Sequence, residues 1–344
     1  MLSDGKNNEN PFTITVSARA LFDLEESHRV FEEQGLEAFE LYQREREETV
    51  LKPGPVFPLV KKLLAFNENR PQGVRPFEVV LLSRNSADTA VRVLNTIEQM
   101  KLPLIRAVFT GGEPSSTYID AIGPDLFLSS NPEEVAKVVN ECGIAGATIL
   151  APKDGSASFA SHESQIRIAF DGDAVVFSDE AERVYGDGGL EHFQNHEYTN
   201  AHMPLQSGPF RPMLEAIHAI QQAFPKNRSP IRTALITARS MPAHMRALNT
   251  LKSWGVTMDE VMLLGGKNKG PYLKAFKADL FVDDSRQNID HALDIGAVSG
   301  HVPYGVRNQN NPNPSIKFSG DEVVGEAVAV ETAPSPASRR GPRP

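Results

Sequence analysis

Leu94-Asn95-Thr96 returns as Leu248-Asn249-Thr250, 154 positions later, and the offset extends in both directions without a gap. Upstream, Arg29, Val30, Gly35, Leu36 and Phe39 recur as Arg183, Val184, Gly189, Leu190 and Phe193, while Gly54, Pro55 and Pro58 recur as Gly208, Pro209 and Pro212. Leu81, Ser86 and Arg92 match Leu235, Ser240 and Arg246. Downstream, Gly111-Gly112 matches Gly265-Gly266, and Asp125-Leu126-Phe127 matches Asp279-Leu280-Phe281. A gapless series of this length reads as an internal duplication, with two copies of one structural unit.

Each copy alternates short apolar runs with segments of helix length. The runs are 13–16, 79–82, 107–109 and 126–128 in the first, and 168–170, 234–236, 261–264 and 280–282 in the second. Strands separated by helices require crossover connections and hence parallel sheets covered on both faces. The expected fold class is α/β, as two tandem, doubly wound, Rossmann-like units. The first is expected over residues 12–150 and the second over 165–317, separated by a loop at Pro152-Lys-Asp-Gly-Ser156. Residues 1–11 are expected to be a flexible N-terminus, and the Pro, Ala and Ser rich stretch 325–344 a disordered tail.

Composition narrows the function classes. The chain has 344 residues, 40% hydrophobic and 23% charged, which suits a globular protein of about two domains at roughly 150 residues each. A formal charge of −9 argues against a nucleic-acid partner, which a basic surface would attract. No apolar stretch approaches the roughly 18 residues of a membrane span, and the polar start lacks a leader pattern, so no membrane partner and a cytoplasmic location are expected. Cys142 is the single cysteine, which excludes an intrachain disulfide and a cysteine-based zinc site.

Ligands of open α/β sheets bind at the carboxyl ends of the strands. In the second copy those ends carry Asp171-Gly172-Asp173, Thr237 with Ala238 behind it, Lys267 and Lys269, and Asp283-Asp284. The set meets the needs of phosphoryl transfer: a carboxylate nucleophile, a second carboxylate for acid and base work, hard oxygen ligands for a cation, and donors for the phosphate oxygens. Asp171 is the expected nucleophile and Asp173 the acid and base. Asp283 and Asp284, with Asp171 and Asp173, are the expected ligands of Mg2+. Gly172, Thr237, Ala238 and Lys269 complete the phosphate site.

Bland readings exist for each motif. Asp-Gly-Asp can be an ordinary turn or the start of a calcium loop, although Ala174-Val-Val-Phe177 continues without acidic ligands. Asp283-Asp284 and Thr237 can cap helices, and Lys267 competes with Lys269. Arg239 is as readily a surface ion pair as a substrate contact.

Taken together, Phe170-Asp-Gly-Asp-Ala-Val-Val-Phe177, the strand-ending Thr237, Lys269-Gly-Pro271 and Phe281-Val-Asp-Asp284 resemble the four motifs of haloacid-dehalogenase-type phosphatases. Ser17-Ala-Arg-Ala-Leu-Phe22, Phe177-Ser-Asp-Glu180, Leu235-Ile-Thr-Ala-Arg-Ser240 and His301-Val-Pro-Tyr-Gly305 are further similar to segments of cytosolic type I 5′-nucleotidases. The resemblance covers about residues 12–306. It implies Mg2+-dependent hydrolysis of AMP-like nucleoside 5′-monophosphates through an aspartyl-phosphate, and a small cap at about 178–232 that selects substrate. Phosphatases or phosphotransferases acting on other phosphate esters, and a noncatalytic nucleotide sensor, are the alternatives.

The first copy departs from this chemistry at the decisive positions. Ser17 stands for Asp171, Arg19 for Asp173, Ser115 for Lys269 and Ser129-Ser130 for Asp283-Asp284, with only Ser83 analogous to Thr237. It is expected to be catalytically silent. Ser17, Arg19, Ser83 and Ser115 form a polar cluster for which packing is the preferred role and a nucleotide effector site the alternative. In the cap segment Phe193, His196, His202 and Phe210 are candidates to meet a base, though aromatic residues at such spacing more often pack in a core. A homo-oligomer is left open.

Overall fold

The computed structural model describes residues 11–68, 76–152, 165–225, 228–241 and 243–309. The expected loop from Lys153 to Ser156, nearly all of the N-terminal segment, residues 310–317 and the expected tail lie outside the described residues.

Ten strands form one sheet: β1 Phe12–Val16, β2 Phe77–Ser83, β3 Arg106–Phe109, β4 Leu126–Ser129, β5 Gly146–Leu150, β6 Ile166–Phe170, β7 Ile231–Thr237, β8 Glu260–Leu263, β9 Leu280–Asp283 and β10 Ser299–His301. Their order is β3-β2-β1-β4-β5-β10-β9-β6-β7-β8. Every neighbouring pair is parallel except β5 with β10. The central strands are nearly continuous apolar runs, as parallel strands must be when helices cover both faces; β1 and β4 are buried throughout.

The pairing registers repeat with the sequence offset. Phe12 pairs with Phe77 as Ile166 pairs with Ile231, Ile14 with Leu126 as Ile168 with Leu280, and Val80 with Arg106 as Ala234 with Glu260. Eight strands fall within a few residues of the runs expected from sequence. The other two, β5 and β10, lie side by side and join the halves. Because they run antiparallel, the strands of the two halves point in opposite directions. The carboxyl ends of β1 and β4 therefore face one edge of the sheet, and those of β6 and β9 the other.

The halves share packing as well as backbone pairing. One cluster of buried side chains runs from Phe12, Val16 and Leu63 to Phe170, Leu235 and Val282. Lys62 Nζ reaches Asp279 Oδ1 at 2.6 Å across the halves. The other Asp279 oxygen accepts from the backbone N–H of Arg167 at 2.8 Å, just as Asp125 accepts from Thr13 at 2.7 Å. Each such carboxylate fixes the start of a central strand, β6 or β1, against the neighbouring strand that the aspartate leads into, β9 or β4. Burying each large apolar side chain in this core stabilises the fold by about 1.5–3 kcal/mol.

Candidate active site

β6 ends at Phe170, and the chain leaves the sheet at Asp171 with φ −72° and ψ 166°. A short, kinked helical turn over Gly172–Val176 follows, in which Ala174 takes the left-handed conformation at φ 59°. Gly172 is required by proximity. A Cβ there would come within 3.0 Å of Thr237 Oγ1, so the glycine lets the Asp171 loop lie against the end of β7. The loop is closed from behind at Gly208, where a side chain would collide with the carbonyls of Val175 and Phe177.

Asp171, Asp283 and Asp284 are all buried, and each offers a carboxylate oxygen within 4.8 Å of the others. Lys269, at the start of the helix Gly270–Phe276, places Nζ 2.6 Å from Asp171 Oδ1 and 2.6 Å from Asp283 Oδ2. Lys267 is exposed, so the structure brings Lys269 and not Lys267 to the carboxylates. Thr237 is buried at the end of β7, its hydroxyl accepting from the Arg239 N–H at 3.2 Å. Ala238 lies exposed beside it.

The carboxylates are unequally satisfied. Asp283 also accepts from Asn288 Nδ2 at 3.1 Å to each oxygen and from the Ser285 N–H at 2.8 Å. Among the described residues neither Asp284 oxygen, both buried, has a hydrogen-bond partner. Its backbone is fixed nonetheless, since His301 Nε2 at 3.0 Å and Asn308 Nδ2 at 3.2 Å donate to its carbonyl. A buried carboxylate grouped with two others, with Arg307 offsetting only part of its burden, is the donor set of a hard divalent cation, which takes all-oxygen ligands. The residues therefore fit Mg2+, with Asp171 and Asp284 offering free oxygen and Asp283 already tied to lysine and amide donors.

The electrostatics agree. Burial pushes Asp171 up to about 7 even though Lys269 opposes the rise, with Asp283 and Asp173 adding to it. Burial, Asp283 and Glu182 push Asp284 well above the usual carboxylate range. Burial alone would lower Lys269, but Asp171 and Asp283 outweigh it and hold the ammonium charged. A cation among the carboxylates would reverse the upward shifts.

Asp173 stands outside this trio. Arg239 holds it in a fork, Nε at 3.0 Å and Nη2 at 2.7 Å. Arg239 is no surface residue: it is 2% exposed, and its Nη1 pairs with Glu197. Glu197 in turn accepts from Arg246 at 2.9 Å, and Arg246 pairs with Glu180 at 2.8 Å. Burial acts to raise Glu197, yet the two guanidinium groups hold it below its ordinary value. A second acid, Glu182, pairs with Arg307 at 2.9 Å, and burial pushes it up to about 7 against that arginine.

Sequence reasoning missed Glu182, Glu197, Arg246 and the depth of Arg239. The offset could have found three of them: Glu182 stands opposite His28, Glu197 opposite Gln43 and Arg239 opposite Asn85, each a gain of charge in otherwise matching helices and loops, whereas Arg246 repeats Arg92.

The segment 178–232 supplies Glu180, Glu182 and Glu197 from the helix Glu180–Thr199. Among the base-contact candidates, Phe210 is wholly buried and packs edge-on against Phe170 at 6.2 Å. Phe193 lies half-buried with the Arg239 guanidinium 5.6 Å from its ring centre. His196 is half-buried and His202 exposed. In the first half, Ser17, Arg19, Ser83 and Ser115 all line one cavity of about 470 Å3. There Ser115 donates to the buried Glu134.

A carboxylate trio, a buried lysine and a threonine thus meet beside the carboxyl ends of the parallel strands β6, β7 and β9. The chain belongs to the 5′-nucleotidase family, whose model matches residues 5–309. It is 35% identical over 302 residues to human cytosolic 5′-nucleotidase 1B, covering 85% of this chain and 49% of that protein, so it spans about half the length of that curated relative. No solved structure matches the chain. Among the described residues no helix is long and apolar enough to cross a membrane.

Proposed function

We propose that the second half is a Mg2+-dependent 5′-nucleotidase that hydrolyses AMP-like nucleoside 5′-monophosphates through an aspartyl-phosphate on Asp171. The observation that carries this reading is the convergence of Asp171, Asp283 and Asp284 with Lys269. Family membership and the cytosolic nucleotidase relative support the substrate class.

In this account an Asp171 oxygen attacks phosphorus as the bond to the ribose 5′ oxygen breaks, and Asp173 gives that oxygen its proton. Asp173 then takes a proton from the water that attacks the phosphoryl group, which returns Asp171 as a free carboxylate and releases orthophosphate. Arg239 aims Asp173, and yields one arm of its fork when the leaving oxygen arrives. The Thr237 hydroxyl, the Gly172 and Ala238 backbone N–H groups and Lys269 hold the phosphate oxygens. Asp171 and Asp284, with Asp283 behind them, would hold Mg2+, whose charge would let an anionic nucleophile meet an anionic phosphate.

The repeated registers support reading the two halves as a haloacid-dehalogenase-like unit and its silent duplicate, with 178–232 as the cap of the working copy. The test is phosphate release from a panel of nucleoside 5′-monophosphates and sugar phosphates, with Mg2+ and with EDTA. Mg2+-dependent release from nucleotides is the expected result. Release mainly from sugar phosphates would keep the chemistry and discard the substrate, and no binding-competent condition giving release would leave a nucleotide sensor.

A further inference from the structure

The cavity in the first half sits where the second half has its carboxylates, at the carboxyl ends of β1, β2 and β4, and its volume of about 470 Å3 is that of a small-molecule site. The geometry points to a second ligand site there, for a phosphate monoester that carries a flat heteroaromatic ring, bound without a metal.

Two unsatisfied donors make the case. Gln43 is 1% exposed and lines the cavity. Its Oε1 accepts from Arg92 at 3.1 Å, but among the described residues its buried Nε2 has no partner. Arg19 spends Nη2 on Glu25 at 2.9 Å, and its buried Nε has no partner among the described residues. A buried donor without an acceptor is destabilising, and a ligand oxygen would satisfy it.

The charge pattern fits an anion. In the second half the chain Asp173, Arg239, Glu197 is acidic at both ends. Its counterparts Arg19, Asn85 and Gln43 hold one positive charge and no negative one. Ser17 and Ser83 replace a carboxylate and a hydroxyl at adjacent strand ends, so an anion meets donors where the other half needs a cation first. Glu134, also at the wall, is occupied by the Ser115 N–H at 3.2 Å and its hydroxyl.

The ring has a seat as well. Phe31 is 44% exposed although it lines the cavity, and it packs edge-on against Phe39 at 5.9 Å. A base laid against Phe31 would cover this apolar surface while the phosphate reaches Arg19 and Ser17. Stacking on an aromatic residue is favourable for any base, since every base offers a π-face.

The test is calorimetric titration of AMP into the Asp171→Asn protein, compared with the same protein carrying Gln43→Glu. Glutamate keeps the acceptor for Arg92, as Glu197 does for Arg246, but turns the free donor into a carboxylate facing the ligand. One equivalent fewer bound in the double variant is the expected result, whether or not the other site takes AMP. Arg19→Ala should weaken the same equivalent by about tenfold or more, the loss of one charge-assisted hydrogen bond. Adenosine should not fill the site at the same concentrations. Equal stoichiometry with and without Gln43→Glu, in proteins that melt alike, would overturn the proposal, as would adenosine binding as tightly as AMP. In the otherwise wild-type chain, Gln43→Glu should leave phosphate release from AMP at its unmodified rate.

Discussion

In the first half the buried Arg92 donates to Gln43 and to the carbonyl of Thr49, and in the second Arg246 donates to Glu197 and to the carbonyl of Met203. Thr96 and Thr250 accept from the backbone of Leu51 and Leu205, and Asn95 and Asn249 donate to the carbonyls of Glu47 and Ala201. These bonds hold the same helices to the same loops in both halves, and they belong to the scaffold. An edge pair even keeps its geometry with its charges exchanged, Arg106 with Glu78 against Arg232 with Glu260.

The difference begins where a neutral group becomes charged. Gln43 asks for no counterion, but Glu197 does, and it is answered by Arg239, which then reaches Asp173. Charge in the second half thus runs as a chain from Arg246 to the loop that carries Asp171. The comparison separates residues that fold the unit from residues that equip it, and it can be broken at each link.

The largest expected effect after loss of the proposed nucleophile, Asp171, is at Asp173. Asp173→Asn should lower kcat for AMP by about 10²–10⁴-fold, since an amide neither gives nor takes the proton. The melting temperature should fall as well, because the carboxyl is only 16% exposed and pairs in a fork with the buried Arg239; steady-state rates and a thermal melt check both.

Glu197→Gln rebuilds the first half's arrangement inside the second. It should lower stability by about 1–3 kcal/mol, as a charge-assisted bond to each of two buried arginines weakens. It should also reduce kcat, because Arg239 loses the partner that fixes its fork on Asp173. Denaturant unfolding and rates on one preparation would show the two effects together. A variant that loses stability and keeps its full rate would remove Arg239 as the aiming group.

Tyr185, opposite Phe31 by the offset, is 52% exposed. If the two halves seat a base alike, Tyr185→Ala should raise KM for AMP several-fold with a smaller change in kcat. The smallest effect is none: Ser17→Asp with Arg19→Asp should give the first half no activity in an Asp171→Asn background. Ser115 and Ser129-Ser130 still stand where the lysine and the paired aspartates would be.

Eight strands were legible because their apolar runs are long enough to read against helical segments. β5 and β10 were not. Ser299-Gly300-His301 has no apolar signal, and its glycine answers to packing alone: a Cβ there would lie 2.7 Å from that of Ala147 and 3.2 Å from Val282 Cγ1. On the β10 side the joint is therefore a close approach of backbones that no local pattern announces, whereas β5 is a short, wholly buried run, Gly146-Ala-Thr-Ile-Leu150, whose pairing with β10 is what the sequence does not show. Asp171, Asp173, Thr237 and Asp283-Asp284 could be singled out because each lies at or just past a strand end, and Lys269 because it opens the helix Gly270–Phe276 that follows β8. Glu182, Glu197 and Arg246 lie within helices, and only the fold brings them to the site.

The central claim is that phosphate chemistry belongs to the second half and passes through Asp171. Phosphate release from AMP in Mg2+ by Asp171→Asn, beside the wild-type protein and with folding checked by a thermal melt, tests it most directly. The account predicts a folded protein with no turnover. Undiminished release from the folded variant would contradict it.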